Sequence, residues 1–553
     1  MQKIYRLRPR EHDELIVDLL AARGVTGEKE RKSFLEPDYM GDSHDPFLLP
    51  DMEKAVERIL TALENNEKVC VWSDYDCDGI PGGVMLSEFL RSIGAEVRHY
   101  IPHRHKEGYG LNSEGIDELA GEGVKLIITI DLGTTEFEGT LHAKKKGIDI
   151  IVTDHHEPPA ELPDAFAIIN PKRVGSAYPF TGLCGAGVAW KLVQALLMKN
   201  RFGFEEGKEK WFLDLVGLAT LSDMVPLIGE NRMLARFGLV VMRRGRRPGL
   251  AALLNLLRIK ASTLTEDDVG FMVSPRINAA SRMDSPEIAA ALLGATNVER
   301  AADLARQLNH INDERKGVVA SIAKEANKRL KESGLVESSV IVMGNPNWRP
   351  GVLGLVANTL ATAHGKPVFL WGREGGDVIR GSVRSPSVSV VELMSATNNV
   401  FNEFGGHHAS GGFSVSEENV HGLGAELERA YKTLAAKGLL QEETLVDREL
   451  ALAEIPFALR DLEKLAPFGV GNQKPLFMFP GISVSSVRSF GKGGDHIEAQ
   501  LSDTAGSTSA GMSFFSTPDS FQKKLERGAK ADIVGHVELD WRGKPRIRIV
   551  DAI

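Results

Sequence analysis

The chain has 553 residues, of which 42% are hydrophobic and 25% charged. These values are ordinary for a globular protein, exclude a disordered or fibrous chain, and predict several domains. The net charge of −9 excludes an overall basic chain, although a local basic groove beside an acidic site is compatible with that total.

In the first half of the chain, short apolar runs alternate with helical stretches. Residues 1 to about 45 are predicted to be a charged, partly helical lead-in. From about 46 to 240 the alternation, with helical stretches such as 84–93 and 186–198, is typical of a doubly wound α/β domain with a parallel sheet. The apolar runs interpreted as buried strands are 69–72, 126–130, 148–153 and 215–222.

Beyond residue 240 the pattern changes twice. Residues 241 to about 330 are predicted to be helical, and the apolar spacing over 297–332 predicts one long amphipathic connecting helix. A second α/β domain is expected over about 331–440, with glycine-rich turns at 380–385 and 405–412. The segment of about 441–553 predicts an oligonucleotide-binding (OB) type barrel with strands at 482–487, 496–501, 509–515, 531–539 and 546–550.

Acidic or histidine side chains follow each of the four predicted strand runs. They are Asp74, Asp76 and Asp78, then Asp131, then Asp154, His155 and His156, and finally Asp223. Ligands of open α/β sheets bind beyond the carboxyl ends of the strands, and clustered carboxylates stay ionised when cations sit among them. A single Asp after a strand is more often a helix N-cap, but four successive clusters favour a metal site.

The same clusters predict a reaction. Oxygen ligands favour Mg²⁺ or Mn²⁺, and an added imidazole shifts the preference toward Mn²⁺. Two cations roughly 3.5–4 Å apart can hold a hydroxide and both oxygens of an in-line phosphoryl displacement. The sequence therefore predicts phosphoester hydrolysis without a covalent intermediate.

Four segments, 73–79, 131–133, 154–156 and 222–226, resemble the four motifs of the DHH phosphoesterase family. Nearly the whole chain resembles that family's branch of bacterial single-strand-specific exonucleases, with further similar stretches at 101–110, 275–280, 348–354 and 465–472. The resemblance implies a DHH domain (46–240), a helical region with the connector helix (241–330), a DHH-associated substrate-binding domain (331–440) and a nucleic-acid-binding barrel (441–553). The implied activity is 5′→3′ degradation of single-stranded DNA to mononucleotides by two-metal hydrolysis, in DNA repair and recombination.

The resemblance also implies a role for each residue of the metal site. The implied ligands are Asp76 and Asp131 for one cation and Asp78, Asp131, His155 and Asp223 for the other, with Mn²⁺ or Mg²⁺ as the two cofactors. His156 is expected to face the scissile phosphate and, with Asp131 and Asp74, to be catalytic.

Residues expected to contact DNA lie in the DHH domain, the helical region and the DHH-associated domain. The resemblance implies that Arg104, Ser382 and Arg384 hold the 5′-phosphate; further substrate contacts are Arg276, Asn278, Arg282, Arg380 and His407. From spacing alone, a solvated loop is the commoner role for 380–385, and for the basic run 243–247 a DNA track and a solvated loop are equally supported.

The predicted barrel mixes aromatic and basic residues. Phe490, Lys492, His496 and Phe514 are among them, and some of the aromatic side chains are expected in the core. The better candidates for nucleic-acid binding are Trp541, Arg542 and Lys544, at a predicted hairpin tip.

Several positions depart from the usual motifs of the family. Ser73 and Cys77 replace Gly and Ala, Leu132 replaces Asn or Cys, Ser281 replaces Gly, and Arg349 replaces a common His. Leu132 is expected to remove a hydrogen bond beside the ligands, which affects metal affinity without removing a ligand.

Two other functions stay open at this point. The chain is compatible with a DHH enzyme for short oligonucleotides, cyclic dinucleotides or pyrophosphate, although such relatives typically lack a terminal barrel. It is also compatible with a non-catalytic DNA-binding scaffold, although those relatives tend to lose metal ligands that this chain keeps.

The expected setting is the cytoplasm. Three scattered cysteines fit a reducing compartment, and neither a signal peptide nor an apolar run that could span a membrane is recognisable. The resemblance implies a monomer whose partners are single-stranded DNA, a single-strand-binding protein and a helicase. The strand is expected to thread between the two α/β domains, where a duplex would not fit.

Overall fold

The computed structural model describes residues 3–553 except 105, 374–377, 407, 437–442, 492, 495 and 541. It contains two compact units: one comprises Arg6–Leu308 and Leu445–Ile553, and the other comprises Asn309–Thr444 with the N-terminal residues through Tyr5. None of the helices in the described part of the chain is both long and apolar enough to cross a membrane.

The strands and helices are numbered in chain order. The strands are β1 Ile4–Leu7, β2 Lys68–Ser73, β3 Val97–Tyr100, β4 Val124–Ile130, β5 Asp149–Thr153, β6 Ala167–Ile169, β7 Ile341–Gly344, β8 Val368–Gly372, β9 Ile379–Arg384, β10 Glu403–Gly406, β11 Ser410–Val415, β12 Glu443–Val446, β13 Arg448–Glu449, β14 Phe477–Phe490, β15 His496–Ser502, β16 Thr508–Phe514, β17 Lys530–Leu539 and β18 Pro545–Ala552. The α-helices are α1 Leu15–Ala21, α2 Glu28–Leu35, α3 Met52–Glu64, α4 Gly79–Ser92, α5 Ser113–Gly121, α6 Phe137–Lys145, α7 Gly185–Lys199, α8 Leu213–Ser222, α9 Gly229–Arg243, α10 Pro248–Leu256, α11 Glu266–Asp268, α12 Ser274–Met283, α13 Glu287–Leu293, α14 Val298–Ser333, α15 Pro350–His364, α16 Val390–Ser395, α17 Glu417–Val420, α18 Leu423–Ala435 and α19 Ile455–Leu465.

The first sheet is parallel and has the strand order β3-β2-β4-β5-β6. Its central strands are rich in β-branched residues because both faces are covered: Val71 and Ile128 pack toward α4 and α7, while Trp72 and Ile127 pack toward α5. The chain runs from β2 outward to β3 and then back past β2 to β4, so the strand order reverses between β2 and β4. Ligands of doubly wound sheets bind at such a switch point.

The prediction of a strand at 215–222 is wrong, because these residues belong to helix α8. The helix is buried on almost every side, so its sequence carries no amphipathic period. A short, uniformly apolar run cannot be assigned to strand or helix from periodicity alone. Asp223 is the C-cap of this helix and still reaches the sheet edge described below.

The C-terminal segment forms a closed five-stranded barrel in the order β14-β15-β16-β18-β17, with β17 also paired to β14. All five predicted strands are present. The core of the barrel also contains Leu19, Leu20 and Phe34, so part of the predicted lead-in is buried structure.

The second unit contains a mixed sheet in the order β10-β11-β9-β8-β7. The turn predicted at 380–385 is largely strand β9, and the one at 405–412 spans the β10–β11 hairpin. The predicted connecting helix is confirmed as the 36-residue α14, within which the boundary between the units falls.

Candidate metal centre

The loop after β2 is fixed by its own acidic side chains. Asp76 Oδ1 accepts hydrogen bonds from the backbone N–H groups of Asp78 (2.8 Å) and Gly79 (3.1 Å) at the start of α4. Asp78 accepts from the N–H groups of Gly185 (2.6 Å) and Ala186 (2.8 Å) at the start of α7. The positive ends of two helices therefore hold this loop at the switch point of the sheet.

Asp131, directly after β4, has a left-handed backbone with φ of 63°. Its N–H donates to the carbonyl of Thr153 on the adjacent strand at 2.9 Å. A Cβ at Gly185 would lie 2.5 Å from the Cβ of Asp131, so this close approach requires glycine. The backbone thus turns the Asp131 carboxylate into the space between the loop after β2 and the loop after β5.

His155 brings the separate acidic residues together. Its Nε2 lies 3.0 Å from Asp131 Oδ1, 3.6 Å from Asp223 Oδ2 and 3.8 Å from Asp78 Oδ2. Burial lowers the pKa of His155 to about 3, which leaves a neutral imidazole with a free lone pair. Neutral imidazole is the form that binds metals.

The carboxylates are buried close to one another, an arrangement that cations would stabilise. Burial, followed by mutual repulsion, raises the pKa of Asp78 to about 7 and that of Asp223 to about 9, and raises the pKa of Asp74 and of Asp131 well above the ordinary value. The buried Oδ1 atoms of Asp74 and Asp131 accept no hydrogen bond in the described structure. Divalent cations would stabilise the ionised carboxylates and satisfy both oxygens.

Ligand atoms that lie within 4.8 Å of one another form three groups. These are Asp74, Asp76 and Asp131; Asp78, His155 and Asp223; and Asp131, His155 and His156. The structure thus brings together every residue predicted for the metal site, with Asp131 in two of the groups. This donor set fits two divalent cations such as Mn²⁺ or Mg²⁺.

Asp154 orients the two histidines, a role that the sequence did not reveal. Its Oδ1 accepts from the backbone N–H groups of His155 (2.7 Å) and His156 (3.1 Å) and lies 2.7 Å from His156 Nδ1. The hydrogen bond to Asp154 raises the pKa of His156. Burial alone would raise the pKa of Asp154, but the hydrogen bond with His156 opposes burial, and the pKa of Asp154 is lowered. The His156 imidazole is half-exposed and presents its other nitrogen, Nε2, outward from this contact.

Helix α12 contacts two of the segments that carry candidate ligands, the loop after β2 and the end of α8. Asn278 Oδ1 accepts a hydrogen bond from the N–H of Cys77, between Asp76 and Asp78, at 2.9 Å. Ser274 Oγ lies 2.5 Å from Ser222 Oγ, one residue before Asp223. Asn278, predicted to contact substrate, is therefore placed to set the spacing of the metal ligands.

We expect Asn278→Ala to lower the Mn²⁺ affinity of the DNA-free protein by about 10- to 100-fold while leaving KM for DNA nearly unchanged. Removing the acceptor frees the loop that holds Asp76 and Asp78. Mn²⁺ titration followed by electron paramagnetic resonance measures the first quantity, and Asn255→Ala, an exposed amide on α10, is the matched control. A raised KM with unchanged Mn²⁺ affinity would instead assign Asn278 to DNA contact.

The predicted arginines of this unit differ in their surroundings. The Arg104 guanidinium lies 5.0 Å above the ring of Tyr75, in the loop between Asp74 and Asp76. Arg282 is half-buried, whereas Arg276 is buried and its Nη1 donates to the carbonyl of Met272 at 2.6 Å. Arg276 is thus partly committed to the segment directly before its own helix.

The basic run 243–247 is not a uniform DNA track. Arg247 forms ion pairs with Asp214 (2.7 Å) and Glu88 (2.9 Å). The Arg246 guanidinium lies 3.7 Å above the ring of Trp211. Arg243 donates from Nε (2.9 Å) and Nη2 (2.7 Å) to the carbonyl of Leu264. Three of the five positions are therefore occupied by structural contacts.

In the second unit, Arg380, Ser382 and Arg384 lie at alternate positions of β9. Arg384 forms no ion pair within the described residues, and burial lowers its pKa. A Cβ at Gly354 would lie 2.7 Å from Arg384 Nη2, so glycine leaves room for the guanidinium beside helix α15. His407 lies outside the described residues.

The predicted nucleic-acid residues of the barrel are only partly described. Arg542 and Lys544 are exposed in the turn between β17 and β18, where Asp540 accepts from the backbone N–H groups of both at 2.8 Å. Trp541 and Lys492 lie outside the described residues. The structure thus has a hairpin tip where the sequence predicts one.

Three known domain families match the chain in the order in which its domains occur. The DHH family N-terminal domain matches residues 68–220, the DHHA1 domain matches 337–433 and the RecJ OB domain matches 446–550. The chain is 33% identical over 545 residues to the single-stranded-DNA-specific exonuclease RecJ of Bacillus subtilis, covering 97% of this chain and 68% of that one. The chain belongs to the RecJ family.

Solved RecJ structures agree in fold. RecJ of Thermus thermophilus in complex with Mn²⁺ matches 100% of this chain and 79% of its own, with a TM-score of 0.80 and 26% identity. RecJ of the same organism in complex with Mg²⁺ covers 100% and 78%, with a TM-score of 0.73 and 25% identity. These matches confirm the predicted class: a parallel-sheet DHH domain, a second α/β domain and an OB-type barrel.

Two departures from the RecJ motifs have a structural explanation. Leu132 is completely buried in the apolar core on the face of the sheet that α5 covers. An apolar side chain suits this position, because a buried polar side chain would need a hydrogen-bond partner there. The Cys77 thiol is buried beside the hydroxyls of Ser222 and Ser274, which it contacts. Neither change removes a candidate ligand. Nothing in the structure explains the substitution at Arg349.

Proposed function

We propose that the chain is a single-stranded-DNA-specific exonuclease that degrades DNA from its 5′ end to mononucleotides, in DNA repair and recombination. The observation that carries this proposal is that Asp131 lies in one ligand group with Asp74 and Asp76 and in another with His155 and His156, in a chain of the RecJ family. The proximity of these side chains supports the metal ligands that the family implies.

The proposed mechanism assigns each side chain a task. When bound, two divalent cations, Mn²⁺ or Mg²⁺, supply a hydroxide nucleophile at neutral pH and stabilise the charge of the in-line displacement. Asp131, which belongs to two ligand groups, would be the ligand that both cations share. His156 is assigned to face the scissile phosphate with Nε2; its contact with Asp154 raises the pKa of the imidazole, and the protonated form would donate a hydrogen bond there.

The 5′ polarity is assigned to Arg104, Ser382 and Arg384. Arg384 supports this assignment because its guanidinium is half-buried without an acidic partner in the described structure. An anion such as a terminal phosphate would compensate that charge. Arg276, Arg282 and Arg380 are assigned to internal phosphates, where their contacts contribute affinity without base specificity.

The test is digestion of long single strands labelled at either end, with Mn²⁺ or Mg²⁺. We expect mononucleotides to appear first from the 5′-labelled end, and a blunt duplex to be degraded far more slowly, because stacked and paired bases do not enter a single-strand path. Release from the 3′ end, or equal rates on the duplex, would contradict the proposal. Digestion confined to short oligonucleotides would identify the enzyme for short substrates instead.

The proposal includes the setting in which the chain acts. A single-strand-binding protein would supply its substrate and a helicase would generate it, with the chain acting as a cytoplasmic monomer. Co-purification and analytical ultracentrifugation test the partners and the monomeric state. A stable dimer at low protein concentration would contradict the latter.

A further inference from the structure

A cavity of about 480 Å³ lies away from the metal centre, in the unit that contains it. Its lining includes Glu88 and Arg91, in the last turns of α4. Helix α4 begins at Gly79, directly after the loop that carries candidate metal ligands. An α-helix rises about 1.5 Å per residue, so Glu88 lies about 14 Å along the helix from Gly79. The cavity is therefore separate from the metal centre.

The cavity has a flat wall made of two stacked groups. The Arg246 guanidinium lies 3.7 Å above the ring of Trp211, and both side chains line the cavity. A guanidinium is planar and stacks on aromatic faces. Because Arg246 is exposed, the face that it turns away from the indole can receive a second planar group. Buried Met242 and Leu250 supply an apolar floor to the same cavity.

The charged side chains of the cavity leave a positive excess. They are three arginines and two carboxylates: Arg91, Arg246, Arg247, Glu88 and Asp214. Arg247 pairs with both carboxylates, with Glu88 at 2.9 Å and with Asp214 at 2.7 Å. Arg91 and Arg246 form no ion pair within the described residues, and Arg91 donates one hydrogen bond to the carbonyl of Val97 at 3.0 Å. Two cations beside acids that are already paired favour an anionic ligand.

A second cavity, of about 540 Å³, adjoins the first and shares Gly245, Arg246 and Pro248 with it. Most of its other lining residues are apolar, among them Leu256 and Val298. Its additional arginine, Arg306, is already paired with Asp303. The flat wall and the two arginines without an acidic partner therefore favour the first cavity as the site for a planar anion.

The size and chemistry of the first cavity fit one nucleotide. Cavities that bind small molecules measure roughly 300–1,000 Å³ and combine apolar walls with a few polar groups. A nucleotide joins a planar base, which suits the stacked wall, to a phosphate, which suits arginine. Inorganic phosphate alone would leave the flat wall and the apolar floor uncovered.

We propose that this cavity binds a nucleoside 5′-monophosphate, with its base stacked on Arg246 and its phosphate paired with Arg91. The site is distinct from those assigned to the scissile and terminal phosphates. The inference rests on the proposed function only for the source of the ligand, because digestion of DNA would release such mononucleotides. The chain would thus hold its own product at a distance from the metal centre.

The test uses the full chain in EDTA, where digestion does not occur, and the photoreactive probe 8-azido-2′-deoxyadenosine 5′-monophosphate. After irradiation, mass spectrometry identifies the labelled peptides. We expect label on Trp211 or in the segment 245–250, which line the cavity. The increase of that label with probe concentration gives a Kd for this site alone, apart from any nucleotide held by Arg384.

Arg246→Ala is expected to raise this Kd by at least about 10-fold, because it removes both the stacking surface and a cation. Arg246 is exposed, so the melting temperature should not change. Arg244→Ala is the matched control: Arg244 is an exposed arginine of the same loop and lines neither cavity. We expect the Kd of this control to equal that of the unchanged protein.

Competition separates a nucleotide from its phosphate. Unlabelled deoxyadenosine monophosphate should prevent labelling at a concentration at least about 5-fold lower than inorganic phosphate, because only the nucleotide carries a base that stacks. Equal protection by the two compounds would overturn the proposal, since the base would then not be recognised.

The proposal would also be overturned by equal Kd values for Arg246→Ala and the unchanged protein, or by the absence of label from the cavity segments. The binding test involves no catalysis. A chain that takes the label but digests no DNA would therefore contradict the proposed function and leave the nucleotide site supported. A chain that digests DNA from the 5′ end but takes no label would have the opposite meaning.

Discussion

Asp131→Asn is expected to lower the rate of strand digestion by about 10³-fold at saturating Mn²⁺, because a shared ligand contributes several kcal/mol to the two-metal transition state. Asn is the appropriate replacement because it tolerates the left-handed backbone of Asp131, with φ of 63°. Alanine would add backbone strain to the loss of the ligand. The initial rate of mononucleotide release measures the effect.

Two further measurements separate loss of metal from loss of fold. Mn²⁺ titration of the DNA-free variant should show weaker binding of both ions, since Asp131 belongs to two ligand groups. Asp164→Asn, an exposed carboxylate paired with Lys144, should keep full activity. A variant that binds two Mn²⁺ ions with unchanged affinity would refute the role of Asp131 as the shared ligand.

The sheet and its acidic edge were predictable because two local signals coincide. Runs of β-branched residues fixed the strands β2, β4 and β5, and each was followed within two residues by an acidic side chain. A parallel sheet places those chain ends at one edge whatever the exact strand order. Asp223 was found for the same reason, although the run before it is helix α8.

Contacts between distant parts of the chain were not predictable. The bond from Cys77 to Asn278 joins residues that are 201 positions apart, and no periodicity reports it. Asp154 was recognised as part of a motif, but its orienting role depends on the turn that brings its carboxylate under His156. Leu19, Leu20 and Phe34 reach a core whose remaining buried members lie more than 400 residues later.

In the barrel, prediction from sequence is limited because the register between strands is unknown. Alternation along a strand divides its residues into two faces but does not say which face is inside. Once β14, β15 and β16 are paired, Phe490, His496 and Phe514 align on the outer face. The composition of the strands does not distinguish core from surface, so the sequence favours the hairpin tip as the binding candidate.

A second large effect is expected at a buried ion pair that contributes no metal ligand. Lys191 of α7 and Glu230 of α9 are 2.5 Å apart, and their side chains are 1% and 0% exposed. Lys191 Nζ also donates to the His44 carbonyl at 2.7 Å, and Tyr178 Oη donates to Glu230 at 2.5 Å. The pair ties the segment before α3 to the helices that flank the sheet.

Lys191→Met is expected to lower the free energy of unfolding by about 3–5 kcal/mol, because it leaves Glu230 charged, buried and uncompensated. Urea denaturation followed by circular dichroism measures the loss. The double variant Lys191→Met/Glu230→Gln should recover part of the lost stability, since no buried charge is then left alone.

Lys199→Met is the matched control on the same helix. Lys199 and Glu53 are both exposed, and losing such a pair should cost less than about 1 kcal/mol. If Lys191→Met cost no more than Lys199→Met, the buried pair would contribute no more than a surface one, and α7 would be held by apolar packing alone.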